Sequence, residues 1–230
     1  MNEAAAALAE DIIPRVPVRQ WVLSFPIPLR SLFAVHPELI TPVLAVTQRA
    51  IHSHLIEQTG VARNAAASGA VTLIQRFGSA ANLNIHLHGL WLDGVYDSAA
   101  EDELAFHEAP APTKEQLTTL LDKIIHRIIK RLTRTGHLIE EQGEVYVANS
   151  DPDNPLAPLQ AASATWRIAH GPRAGQKVLR ITDGQPYQPH PAKDALCVNA
   201  HGFSLHAGVA IAAHDRQGLE QLCQIGRAHV

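Results

Sequence analysis

The segment His86-Leu87-His88 is the part of this 230-residue chain best equipped for chemistry. On an extended strand alternate side chains share a face, so both imidazoles project together and Leu87 projects away. Two imidazoles on one pleated face can chelate a divalent metal. A second pair, His52-Ser53-His54, falls in a run of helical spacing, where residues two apart diverge; it reads as a solvated or packing feature. With 14 histidines in the chain, about one His-x-His arises from composition alone. The meaning of His86 and His88 therefore depends on their neighbours.

Lys123, Arg127, Lys130, Arg131 and Arg134 recur at helical intervals and line one face suited to phosphate contacts, although a plain solvated face has the same spacing. Arg76 and Arg173 could add contacts to a nucleic-acid backbone. Trp21, Trp91 and Trp166 are either stacking platforms for unpaired bases or core residues.

The elements that must position these groups can be read from periodicity and breakers. Residues 3–13 form a short helix stopped before Pro14, and 18–25 alternate as a strand closed by Pro26 and Pro28. Apolar spacing over 37–58 predicts a helix with Gly60 as its stop. Residues 70–77 and 84–92 read as an antiparallel strand pair, and the stretch after Asp93-Gly94 reads as an acidic loop. The clearest helix is 113–135, with Leu117, Leu120, Leu121, Ile124, Ile125, Ile128 and Leu132 on one stripe. A connector at 151–158, a hairpin at 164–181, a proline-rich loop at 183–191, a strand at 203–212 and a helix from His214 complete the chain. The expected fold is α+β: an antiparallel sheet carrying the paired histidines, helices on one face, and the 113–135 helix and 164–181 hairpin as an inserted lobe.

Composition narrows the function. Nineteen Lys plus Arg against 22 Asp plus Glu give a net charge of −3, so no global positive field draws polyanions or a membrane surface. Any nucleic-acid binding must come from a local patch. Two cysteines, Cys197 and Cys223, cannot build a disulfide framework or a Cys-rich zinc module, and they suit a reducing cytoplasm. Glu3, Glu10 and Asp11 stand where an export signal would be basic or apolar. No apolar run approaches the roughly 18 to 20 residues that span a bilayer.

Residues 69–96, around Gln75-Arg76-Phe77-Gly78 and Asn84-Ile85-His86-Leu87-His88-Gly89-Leu90-Trp91, resemble the signature region of HUH rolling-circle transposases of the insertion-sequence ninety-one family. The blocks Arg19-Gln20-Trp21-Val22-Leu23-Ser24-Phe25-Pro26, Gly202-Phe203-Ser204-Leu205-His206-Ala207-Gly208-Val209 and Leu219-Glu220-Gln221-Leu222-Cys223 resemble further family blocks in family order, so the likeness covers essentially residues 1–224. It implies DNA transposition by nicking and joining single-stranded DNA at element ends. The His pair and a third polar ligand would hold one Mg²⁺ or Mn²⁺ on the scissile phosphate, while a helix-borne tyrosine forms a 5′-phosphotyrosine link. Imidazole ligands favour Mn²⁺, since magnesium prefers oxygen. His206 is the favoured third ligand, on the expectation that its strand lies beside that of His86; Gln75 and His201 are the runners-up.

The chain departs from the family pattern at both ends. Family members carry a cysteine-rich zinc segment that has no counterpart here. The family tyrosine sits in a block reading roughly Leu-Cys-Arg-Tyr, where this chain has Leu222-Cys223-Gln224-Ile225, and Tyr96, Tyr146 and Tyr187 lie elsewhere. Residues 225–230 read as the in-frame translation of a sequencing adapter. This reading gives a catalytic region at 1–224 with an insert at about 97–195, followed by a non-native tail. A chain without the tyrosine should bind metal weakly and should not nick. Two alternatives to a nicking transposase are a metal-dependent phosphodiesterase in which water attacks and a non-catalytic DNA-binding remnant.

Overall fold

Alternation in Val18-Arg19-Gln20-Trp21-Val22-Leu23-Ser24 builds β1 (Val18–Ser24), the central strand of a five-stranded antiparallel sheet. A computed structural model describes residues 3–77, 83–99, 104–141, 144–148 and 196–225. The sheet runs β3-β4-β1-β10-β9, with β3 (Ala70–Phe77), β4 (Leu83–Leu92), β9 (Cys197–Ala200) and β10 (Phe203–Ile211). The strand pair expected at 70–77 and 84–92 is therefore present. The strand expected at 203–212 is present too, paired with β1 and with β9, a strand not anticipated.

One face of the sheet carries the main core. Trp21 and Leu23 of β1, Ile85 and Leu87 of β4, and Phe203 and Leu205 of β10 are buried there. They pack against α2 (Ile27–Val35), α3 (Ile40–Thr59) and α4 (Lys114–Arg134). Each such fully buried side chain contributes about 1.5–3 kcal/mol. The α3 helix is preceded by a 3-10 turn at Pro37–Leu39 and ends at Gly60, whose φ of 71° accepts the left-handed cap without a Cβ penalty. At the start of α4, the Thr113 hydroxyl accepts from the Gln116 backbone N–H at 3.2 Å and the Gln116 carboxamide accepts from the Thr113 N–H at 2.8 Å. This reciprocal cap, together with the seven-residue apolar stripe of Leu117, Leu120, Leu121, Ile124, Ile125, Ile128 and Leu132, explains why this helix is so legible. It packs in the main core with Trp21 and Leu205.

Three further elements differ from the sequence expectation. Pro26 and Pro28 do more than close β1: Pro26 caps α2 and Pro28 occupies its first turn, where a missing N–H costs nothing. The acidic stretch after Asp93 is a hairpin of β5 (Gly94–Asp97) and β6 (Ala105–Glu108), joined by the short β2 (Ala66–Ala67). A Cβ at Gly94 would strike the backbone of His107 and Glu108, so glycine lets these strands approach. A further hairpin, β7 (Leu138–Glu141) with β8 (Glu144–Val147), follows α4. The connector at 151–158, the hairpin at 164–181 and the loop at 183–191 lie outside the described residues.

The other face of the sheet is divided. Val18, Leu90 and Leu92 are covered by α1 (Glu3–Ala7), its π-helical continuation Leu8–Ile12, and α5 (Arg216–Ile225). Ala5, Ala9, Leu219, Leu222 and Cys223 make a second, smaller core there. Beyond Gln20 on this face, Val22 and Ser24 are half-buried. No single described helix is long and apolar enough to cross a membrane.

Candidate functional site

His86 and His88 stand on this second face, next to the part covered by α5. The pleat of β4 brings their ring centroids to 4.6 Å with the planes inclined by 59°. Register defines their neighbours in two rows across the sheet. Gln75, His86, Ser24 and Ser204 form one row, and Leu73, His88, Val22 and His206 form the next. Directly opposed residues of antiparallel strands share a face, so both rows lie on the same side of the sheet.

Each imidazole has a partner at Nδ1. In His86, Nδ1 lies 2.6 Å from the Asn84 carbonyl oxygen. A carbonyl only accepts, so Nδ1 carries the proton and the lone pair of the neutral ring sits on Nε2. In His88, Nδ1 lies 3.4 Å from Nε2 of Gln20, a buried side chain of β1.

The third-ligand expectation needs one correction. The strand of His206 is not beside that of His86: β1 separates β10 from β4. Two inter-strand spacings put the His206 and His88 backbones roughly 10 Å apart. Gln75, by contrast, is directly opposite His86 on the adjoining strand. His201 is exposed in the turn between β9 and β10 with φ 50°, away from both rows. Among the described residues, no three His, Cys, Asp or Glu side chains converge in an arrangement that could hold a metal. What the fold assembles is two imidazoles, a carboxamide opposite them, and the hydroxyls of Ser24 and Ser204 in the same row.

The remaining candidates lie in different places. Arg127, Lys130, Arg131 and Arg134 are exposed on α4, and Lys123 is half-buried with its Nζ 3.7 Å from Glu57. Since α4 packs on the core face, this basic stripe and the histidine pair lie on opposite sides of the sheet. Arg76 is exposed on the edge strand β3, one residue beyond Gln75. Trp21 and Trp91 are buried in the main core, which removes them as stacking platforms. Trp166 and Arg173 lie outside the described residues. His54 packs edge-on against Trp21 at 5.9 Å, and burial lowers its pKa, as it does that of His52; the pair is a packing feature.

Helix α5 reaches the histidine face through Leu219, Leu222 and Cys223, all buried. Burial pushes the Cys223 thiol up, which makes it an inert packing group. Ile225, three residues after Leu222, is the last residue of α5. Sequence reasoning missed Gln20 and Ser24. Their signal was a polar side chain at two positions of β1 that alternate with Trp21 and Leu23.

A family model described as "Putative transposase" matches residues 69–227, more than half of the chain. The match spans the histidine strand, β10 and α5. No curated protein and no solved structure matches.

Proposed function

Because this chain belongs to the family described as "Putative transposase", we propose that His86 and His88 are the metal-holding pair of a site that nicks and joins single-stranded DNA at the ends of a mobile element. The observation that carries this reading is the 4.6 Å approach of the two rings on the sheet face that α5 also covers. The donor set suits a divalent ion of intermediate softness, Mn²⁺ more than Mg²⁺. His86 would ligate through Nε2, and the Gln75 carboxamide oxygen or His206 would add a third donor. When bound, such an ion supplies Lewis acidity and orientation to the scissile phosphate.

The protein's own part is to hold the reacting groups in place. Asn84 fixes the His86 ring through Nδ1. The hydroxyls of Ser24 and Ser204, in the row of His86, are donors for a non-bridging phosphate oxygen. Packing of Leu219 and Leu222 holds α5, which ends at position 225, against the sheet. The family resemblance puts the tyrosine nucleophile at that position, where this chain has isoleucine. In the step so assigned, the phenolate oxygen bonds to phosphorus, the bond from phosphorus to the 3′ oxygen breaks, and the departing strand takes a proton as its 3′ hydroxyl.

The test is Ile225→Tyr in the full chain, incubated with labelled single-stranded DNA carrying element ends and Mn²⁺. A covalent protein–DNA adduct is expected, lost on further substitution of His86→Ala; the unsubstituted chain should form none. Adduct formation by the unsubstituted chain would overturn the assignment of position 225. Strand cleavage without attachment, abolished by His86→Ala, would instead make the site a phosphodiesterase that uses water. Salt-sensitive DNA binding with no effect of Mn²⁺ on thermal stability would leave a non-catalytic DNA-binding protein.

A further inference from the structure

Gln20 is out of pattern. It occupies a row of β1 whose other members are Val18, Val22 and Ser24, its β4 partner is Leu90, its β10 partner is Val209, and its side chain is buried. An amide among such neighbours costs free energy unless it is hydrogen-bonded, and its contact is Nδ1 of His88 at 3.4 Å. A carboxamide presents a donor on one side and an acceptor on the other, and half a turn about its last bond exchanges them. With the nitrogen toward His88, as in the structure, the amide donates to Nδ1 and the ring proton sits on Nε2. In that state Nε2 is a donor, able to hold a phosphate oxygen but not a metal. With the oxygen toward His88, the amide accepts from Nδ1–H, and Nε2 carries the lone pair, matching His86.

We propose that Gln20 is a positioning residue that sets the tautomer of His88, and that its amide rotation converts His88 from a hydrogen-bond donor into a metal ligand. This rests on the reading of His86 and His88 as the metal pair. His86 has no such freedom, because its partner is a backbone carbonyl. The two histidines are thus unequal: the tautomer of His86 is fixed by the backbone, whereas that of His88 follows Gln20.

The test compares the full unsubstituted chain with Gln20→Glu and Gln20→Met, first metal-free and then titrated with Mn²⁺. Imidazole nitrogen NMR reads the His88 tautomer directly, a property that loss of packing alone would not reset. The metal-free unsubstituted chain should show the proton on Nε2. Glutamate, which can only accept, should move it to Nδ1, and methionine, similar in shape but offering neither, should release the preference. Mn²⁺ affinity should fall about ten- to hundredfold in Gln20→Met and be retained in Gln20→Glu. One tautomer common to all three proteins overturns the proposal, as does equal Mn²⁺ affinity in all three when His86→Ala abolishes binding. If the tautomer follows residue 20 while no Mn²⁺ binding depends on His86, the coupling of Gln20 to His88 stands and the metal reading of the pair falls.

Discussion

Arg19 and Asp93 meet in a buried two-pronged ion pair, with Nε 2.9 Å from Oδ1 and Nη2 2.7 Å from Oδ2. The remaining nitrogen, Nη1, donates to the Ala207 carbonyl at 3.0 Å. That carbonyl lies at a bulge in β10, where Ala207 and Gly208 together oppose Trp21 alone. One guanidinium therefore ties the central strand to the residue after β4 and to the irregular point of β10. Removing one partner leaves a buried charge unpaired, so Asp93→Ala should cost about 3–5 kcal/mol by urea unfolding. The pair Arg19→Met with Asp93→Leu should cost much less than the sum of the single substitutions. Additive losses would mean that the two side chains act separately.

Acid should loosen the core through His54. Burial lowers its pKa, with Lys123 adding to the effect and Glu57 and Asp93 opposing it. The unfolded chain therefore takes up this proton more readily than the folded one, beginning near the ordinary value of about 6.5. Stability from this group is complete above that pH and declines as pH falls below it toward the lowered folded value. In His54→Phe, urea midpoints measured between neutral and mildly acid pH should decline less steeply. An unchanged slope would show that other groups, His52 among them, account for the pH dependence.

The sheet register separates the two candidates for the third donor. Gln75 is opposite His86, whereas His206 is two strands from His88. Calorimetric Mn²⁺ titration should lose its signal in His86→Ala and His88→Ala and weaken about tenfold, or about 1.4 kcal/mol, in Gln75→Ala. His206→Ala should change it less. A greater loss with His206→Ala would show that β10 supplies the donor in solution.

The basic face of α4 should bind DNA independently of the histidines. Neutralising Arg127, Lys130, Arg131 and Arg134 should weaken single-strand binding and flatten its salt dependence by about 0.7 in log–log slope per lost phosphate contact. Mn²⁺ affinity should not move, because α4 lies across the sheet from the pair. An unchanged salt slope would mark the stripe as a solvated face, with Arg76 the remaining candidate for backbone contacts.

Strong local periodicity made much of this architecture readable in advance. The seven apolar positions of α4 and its Thr113 cap, the alternation of β4, and the stop at Gly60 each depend on neighbours within a few residues. The misread elements depend on partners far along the chain. The β5–β6 hairpin is held by register with β2, about 30 residues upstream, and by a close approach that glycine permits. Its acidic composition pointed to a loop. The histidine pair was visible because its two members are neighbours on one strand. Gln20 and Ser24 join it only because β1 slides between β4 and β10, a strand order that no local pattern encodes. The same insertion keeps the strand of His206 from lying beside that of His86.

The two cores differ in size, and this difference sets how the molecule opens. The main core joins three helices to one face of the sheet with Phe, Trp, Leu and Ile, whereas the cover over Val18, Leu90 and Leu92 relies on alanines and a few leucines from α1 and α5. Less apolar area holds the cover, so its release costs less than global unfolding and leaves the sheet intact. The two helices are thus a hinged rim that exchanges its amide hydrogens earlier than β1 or α4.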